Sequence, residues 1–182
     1  MTVIDTLIAR NADFVAHQFT PNLPLATTLG ITVIGCLDPR VDPAYVLGLK
    51  PGEAAMIRNI GGRVTPAALQ TLALIGTLPR LLGVGPAGGM HIVVLQHTNC
   101  GITRMVQAPD HLAPYFGVAP DELDAKAVMD PYAAVKVDIA TLKADPTLPD
   151  ESTVSGLVYD VATGRVEIVV PPTLLRDGQR EA

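Results

Sequence analysis

Three short runs that read as strands, at residues 31–36, 55–60 and 91–96, alternate with stretches of helical spacing, and this alternation constrains the fold most. The first, Ile31-Thr-Val-Ile-Gly-Cys36, offers no polar face to water and reads as a strand buried on both sides. Strands that alternate with helices place the chain in the α/β class, with a mainly parallel β-sheet flanked by helices. Around these runs, residues 43–47 read as a short helix. Thr65-Pro66 supplies an N-cap and a first-turn proline for an apolar helix to about residue 82. A loop over residues 83–89 then leads into the third strand. A Pro-rich loop precedes a mostly helical stretch over 121–143. Runs at 153–161 and 165–170, on either side of Ala162-Thr-Gly164, suggest a C-terminal hairpin that gives the sheet an antiparallel edge.

Ahead of the first strand, Ile4, Leu7, Ile8, Phe14, Val15 and Phe19 fall at mostly helical spacing, and Thr20-Pro21 with Pro24 stops the helix. This N-terminal helical arm, residues 1–20, invites a partner subunit; a plain packing helix is the other reading. At 182 residues the chain is expected to form one domain, 1–182, since a domain takes roughly 150 residues.

Composition narrows the function. The formal charge is −5, no basic stripe is present, and three Phe, four Tyr and no Trp leave few platforms for stacking bases. Nucleic acid is therefore not an expected partner. The most apolar stretch, residues 72–95, is interrupted by Pro79, Arg80 and a Gly-rich segment, so no membrane span is expected. The opening MTVIDTLIARNAD lacks a basic-then-apolar signal, and the expected location is cytoplasmic. Two cysteines in a reducing compartment are then available for metal binding, catalysis or plain burial.

Ligands of open α/β sheets sit beyond the carboxyl ends of the strands, where strand order reverses. The first strand runs into Cys36-Leu37-Asp38-Pro39-Arg40 and the third into His97-Thr98-Asn99-Cys100-Gly101. If these strands are neighbours, about 4.8 Å apart, Cys36, His97 and Cys100 can converge on one zinc ion. Two thiolates and an imidazole with one open corner make a catalytic pattern rather than a structural one. The thiolates neutralise the dication and leave it a weaker Lewis acid than three histidines would, so outer residues must help with the water. Asp38 can accept a hydrogen bond from that water, and Arg40 can hold the carboxylate with two parallel bonds.

Taken singly, each residue has a plainer reading. A cysteine at a strand end is often a small buried hydrophobe, a histidine is often just a satisfied polar group, and Asp-x-Arg can be a simple ion pair. A cysteine redox pair also stands open, although no C-x-x-C is present. His17, His91 and His111 have no Cys, Asp or Glu at useful spacing, and His91 reads as structural.

The pairing of Cys-x-Asp-x-Arg with His-x-x-Cys resembles the signature of the β-class carbonic anhydrases, and Arg58-Asn59-Ile60-Gly61-Gly62 is similar to that family's Arg-Asn-Ala-Gly segment. The likeness spans residues 31–101, with a weaker echo at 156–164, and the compact length looks like the family's short bacterial branch. The resemblance implies a Zn2+ enzyme that interconverts carbon dioxide with bicarbonate and a proton by attack of zinc-held hydroxide. It implies Cys36, His97 and Cys100 as metal ligands and Asp38 with Arg40 as the catalytic dyad. In some members the aspartate swings onto zinc as a fourth ligand, so Asp38 is also a conditional ligand in a closed state. A parallel sheet and an N-terminal helix that embraces a second subunit, in a homodimer or higher homo-oligomer, are implied as well. Leu37, Pro39, Ile60 and Asn99 depart from the usual residues, and Pro39 and Ile60 are expected to alter the pocket mouth. Relatives that hydrolyse carbonyl sulfide or carbon disulfide, releasing hydrogen sulfide, keep a second substrate class open.

Overall fold

A computed structural model of the chain describes residues 1–81 and 89–176. Five strands, β1 (Ile31–Cys36), β2 (Ala54–Asn59), β3 (His91–His97), β4 (Thr153–Tyr159) and β5 (Val166–Leu174), form one sheet in the order β2-β1-β3-β4-β5. The first four run parallel to their neighbours, and β5 runs antiparallel to β4 at the edge. From β1 the chain first adds β2 on one side, then crosses to add β3 on the other. The reversal therefore opens a crevice between the carboxyl ends of β1 and β3.

Alternation along these strands divides the core. One face of the sheet sends Ile34, Ile92, Val94, Val154 and Val158 against Leu72 of α3 (Pro66–Leu81) and Val135, Ile139 and Leu142 of α5 (Pro131–Ala144). The other sends Val33, Val93 and Leu95 against partly buried residues such as Val46, Leu47 and Leu49, around the short α2 (Pro43–Val46). Each fully buried Leu, Ile or Val contributes about 1.5–3 kcal/mol through removal from water, so β1 and β3 are the strands held most firmly. Asp42 caps α2 by accepting from the backbone N–H groups of Ala44 at 3.0 Å and Tyr45 at 3.4 Å.

The helical arm is α1 (Val3–His17), opened by a reciprocal cap in which Asp5 N–H donates to Thr2 Oγ1 at 3.2 Å and Thr2 N–H to Asp5 Oδ2 at 2.7 Å. None of its residues is buried, and Ile4, Leu7, Ile8, Phe14 and Val15 are all exposed. Among the described residues no helix is long and apolar enough to cross a membrane.

Several boundaries differ from those read in the sequence. The stretch expected to be helical over 121–143 is two elements, a 3₁₀ segment Pro120–Lys126 and α5. Asp130 precedes a proline and is extended (φ −126°, ψ 108°), which ends any helix before it, and its carboxylate caps Tyr132 N–H at 2.8 Å. Ahead of it, the expected Pro-rich loop contains a 3₁₀ segment, Gly101–Gln107, and α4 (Pro109–Phe116). Proline at the start of α4 and Gly117 at its end, with φ +68°, are the local signals for that helix. A second small core, Ile102, Leu112, Phe116 and Val128, joins these pieces beside Cys100. β2 ends at Asn59 because Ile60–Gly62 forms a 3₁₀ turn with Gly61 at φ +80°. β5 continues to Leu174 through Pro171 and Pro172, which an edge strand tolerates, and β4 ends at Tyr159 rather than 161. The expected ends of the third helix at 82 and the loop over 83–88 lie outside the described residues.

Candidate metal centre

Cys36 is the last residue of β1 and His97 the last of β3, and the two strands are hydrogen-bonded neighbours with Gly35 opposite Leu95. Cys100 follows after one tight turn, in which Asn99 takes a left-handed backbone (φ +53°) that asparagine accommodates. One sulfur or nitrogen atom from each of Cys36, His97 and Cys100 lies within 4.8 Å of the others. Asp38 and Arg40 flank this group in the loop after β1.

The donor set fits a tetrahedral zinc ion. With Zn–S near 2.3 Å, two sulfurs of a tetrahedron stand about 3.8 Å apart, and Cys36 Sγ and Cys100 Sγ are separated by 3.7 Å. His97 Nδ1 meets the Thr98 carbonyl oxygen at 2.9 Å, which places the ring proton there. Its Nε2 is then left as a lone-pair donor, buried and, among the described residues, without a hydrogen-bond partner. An orphaned acceptor nitrogen at a site that is 2% exposed is costly unless something binds it. The contact between the two sulfurs pulls the Cys36 thiol well below the usual thiol range against the effect of burial, and together with burial pushes that of Cys100 above it. The backbone N–H of Asp38 also donates to the Cys36 sulfur at 3.4 Å.

Beside these atoms, Arg40 grips Asp38 at two points, Nε on Oδ1 at 3.0 Å and Nη2 on Oδ2 at 2.6 Å, and its own backbone N–H adds a third bond to Oδ1 at 2.9 Å. Arg40 Nη2 also donates to the Asn99 carbonyl at 3.0 Å, which ties the two motif loops together. These bonds from Arg40 hold the Asp38 carboxyl down to about 2, so it is ionised at any ordinary pH.

Residues beyond the two motifs complete the scaffold, and sequence spacing did not identify their roles. Arg58 donates through Nε to the Cys36 carbonyl and through Nη2 to the Asp38 carbonyl, both at 3.0 Å, while its Nη1 pairs with Asp42 at 2.5 Å. Asn59 binds Arg63 at both backbone groups, each at 2.8 Å, and so closes the Ile60–Gly62 turn. Arg63, Asp138 and Gln96 form a buried polar cluster behind His97. The Arg-Asn pair was legible as a motif; Arg63 and Asp138 carried no local signal. His91 begins β3, at the far end from His97, and its Nε2 contacts Ser155 Oγ at 2.9 Å.

A mainly parallel α/β sheet with two cysteines and a histidine converging at its switch point defines a class, that of α/β proteins whose strand ends can hold a metal ion. Comparison with known proteins narrows it. The carbonic anhydrase family model matches residues 31–119. Beta-carbonic anhydrase 1 of Mycobacterium tuberculosis is 31% identical over 179 residues, covering 94% of this chain and 100% of that one. The crystal structure of carbonic anhydrase from Streptococcus mutans superposes with a TM-score of 0.72 at 34% identity, over 93% of this chain and 98% of that one. Carbon disulfide hydrolase of Saccharolobus solfataricus is 29% identical over 161 residues, 74% of each chain. The chain belongs to the β-carbonic anhydrase family.

Proposed function

We propose that this protein is a zinc-dependent carbonic anhydrase that interconverts carbon dioxide and water with bicarbonate and a proton, using Cys36, His97 and Cys100 to hold the metal. The observation that carries this reading is the unpartnered, buried Nε2 of His97 facing two sulfurs spaced as zinc requires. Zinc held there would act as a Lewis acid that lowers the pKa of a water, making hydroxide available near neutral pH.

The chain's own residues do the rest. Asp38, kept ionised by Arg40, accepts a hydrogen bond from the attacking oxygen and so aims its lone pair at the carbon of carbon dioxide. Arg40 fixes the carboxylate plane. Arg58 fixes the backbone on either side of Leu37, so the sulfur of Cys36 and the carboxylate of Asp38 keep a constant relation. The proton released on each turnover leaves to solvent. Because Asp38 is engaged by Arg40, it would not compete for a zinc ion held by Cys36, His97 and Cys100; an aspartate freed from Arg40 could serve as a conditional fourth ligand. The kinship with carbon disulfide hydrolase supports carbonyl sulfide or carbon disulfide as the alternative substrate of the same centre. The exposed apolar face of α1 supports its role as an arm that packs on a second copy of the single domain, in a homodimer or larger homo-oligomer.

Stopped-flow hydration of carbon dioxide by zinc-loaded protein tests the assignment, with sulfide release from the two sulfur gases measured in parallel. Rapid hydration with negligible sulfide supports the proposal; sulfide release without hydration would transfer it to the alternative substrates.

A further inference from the structure

A single buried carboxylate stands behind the candidate metal centre. Asp138 of α5 has a side chain 2% exposed, and that of its partner Arg63 is 1% exposed. Asp138 Oδ2 accepts from both Arg63 Nε at 2.8 Å and Gln96 Nε2 at 2.7 Å, and Oδ1 accepts from Arg63 Nη2 at 3.2 Å. Arg63 Nη2 also donates to the Lys126 carbonyl at 2.7 Å, and the guanidinium lies 4.8 Å above the Phe116 ring.

Each donor to Asp138 leads to a different ligand. Gln96 immediately precedes His97 on β3, so fixing its side chain fixes the strand end from which the imidazole projects. Arg63 immediately follows the Ile60–Gly62 turn, which lies across the ends of β1 and β3. Gly62 packs so closely that an added Cβ would come within 2.9 Å of the Cys36 nitrogen and 3.0 Å of the Leu95 oxygen. Movement of Arg63 is therefore movement of a group that touches Cys36.

We infer that Asp138 is a positioning residue of the metal centre, setting His97 through Gln96 and Cys36 through Arg63 and the Gly61–Gly62 turn. The inference rests on the metal-binding role proposed above. Stability alone does not account for the cluster, since apolar side chains of similar volume often replace a buried ion pair without loss. Directional bonds from one carboxylate to two separate elements instead fix their relative placement, which apolar packing does less sharply.

Cobalt substitution tests it. Bands of a Co2+–thiolate centre report ligand geometry, and competition with a chromophoric chelator reports affinity, neither of which depends on turnover. Gln96→Met keeps the Arg63–Asp138 pair and approximate volume while removing one branch; Asp138→Asn disturbs both. Both variants are expected to keep the wild-type far-ultraviolet dichroism, to shift the cobalt bands, and to hold metal about tenfold more weakly, the lower range for losing an outer partner of a ligand. Gln96→Met is decisive even where Asp138→Asn does not fold. A folded Gln96→Met with wild-type bands and affinity, and only a lower unfolding midpoint, overturns the inference. Wild-type protein that takes up neither Co2+ nor Zn2+ overturns the metal-binding reading itself and this inference with it.

Discussion

Arg40 holds Asp38 in a two-pronged grip, with contacts of 3.0 and 2.6 Å, while the same guanidinium reaches across to the Asn99 carbonyl of the other motif. The carboxylate is only 13% exposed and the guanidinium 49%, so the pair sits with its anion toward the protein and its cation toward water. An isolated surface pair in this exposure range contributes little to stability. Its value lies in orientation, and the first prediction follows from that.

Replacing Asp38 with Asn removes the ionised acceptor but leaves the shape. Hydration of carbon dioxide is expected to fall about a hundredfold, the lower range for a positioned proton-handling group, with zinc content unchanged. Arg40→Gln should lose at least as much, because the freed carboxylate is no longer aimed and can itself take the metal's remaining position. Stopped-flow rates beside atomic-emission zinc analysis check both; an Asp38→Asn rate equal to wild type would remove Asp38 from the chemistry.

Metal removal is expected to abolish hydration and to lower the unfolding temperature, since two sulfurs and an unpartnered imidazole nitrogen would again face each other. Added zinc should restore both. His97→Asn and Cys100→Ser should each retain less than about a tenth of the wild-type metal after gel filtration. Calorimetry and metal analysis of the same samples decide the point.

Gly62 has φ +62° and lies against the backbone of both β1 and β3. Gly62→Ala is expected to destabilise the fold by about 2 kcal/mol or more, from the left-handed backbone and the overlap with the Cys36 nitrogen. Urea unfolding of the metal-loaded protein measures it. Gly48→Ala is the control, since Gly48 has φ +65° but open space around it; it should lose only the conformational part, about 1–2 kcal/mol.

Burial lowers the pKa of His91, which packs beside Ser155 at the start of β3. A histidine whose folded value lies below its unfolded one binds more protons when unfolded. It therefore contributes stability above about pH 6.5 that is lost as pH falls through the folded value. His91→Gln keeps a polar partner for Ser155 without titrating. The drop in urea midpoint between pH 7.5 and pH 5.5 is expected to be smaller in this variant than in wild type. An identical drop would show that the His91 environment does not disfavour its charged form.

Leu7 and Ile8 are exposed on α1, at 52% and 66%. Apolar residues gathered on one exposed helix face mark a surface that a partner covers. The double variant Leu7→Glu, Ile8→Glu is expected to shift the protein from oligomer to monomer in light scattering coupled to size exclusion. Wild-type protein that is itself monomeric would refute the role proposed for the arm.

The amino-acid sequence by itself determined where the strands lie, because short, largely apolar runs between turn signals, clearest at Ile31–Cys36, have few other ways to leave water. It also determined the chemistry available, since Cys36, Asp38, Arg40, His97 and Cys100 occupy two short motifs at strand ends. Helices near residues 101–143 were less legible. There short 3₁₀ segments and proline-initiated turns lack a long period, and boundaries depend on caps such as Asp130 and Gly117. Only the tertiary structure decided that β1 and β3 are neighbours, which brings Cys36 to Cys100 across 64 positions of sequence. It alone also set Arg63 against Asp138, 75 positions apart. The physical reason is the same in both cases. Local periodicity records which side of a segment meets water, whereas the partner across a buried contact is selected by sheet order and by the need to satisfy every polar group that folding removes from solvent.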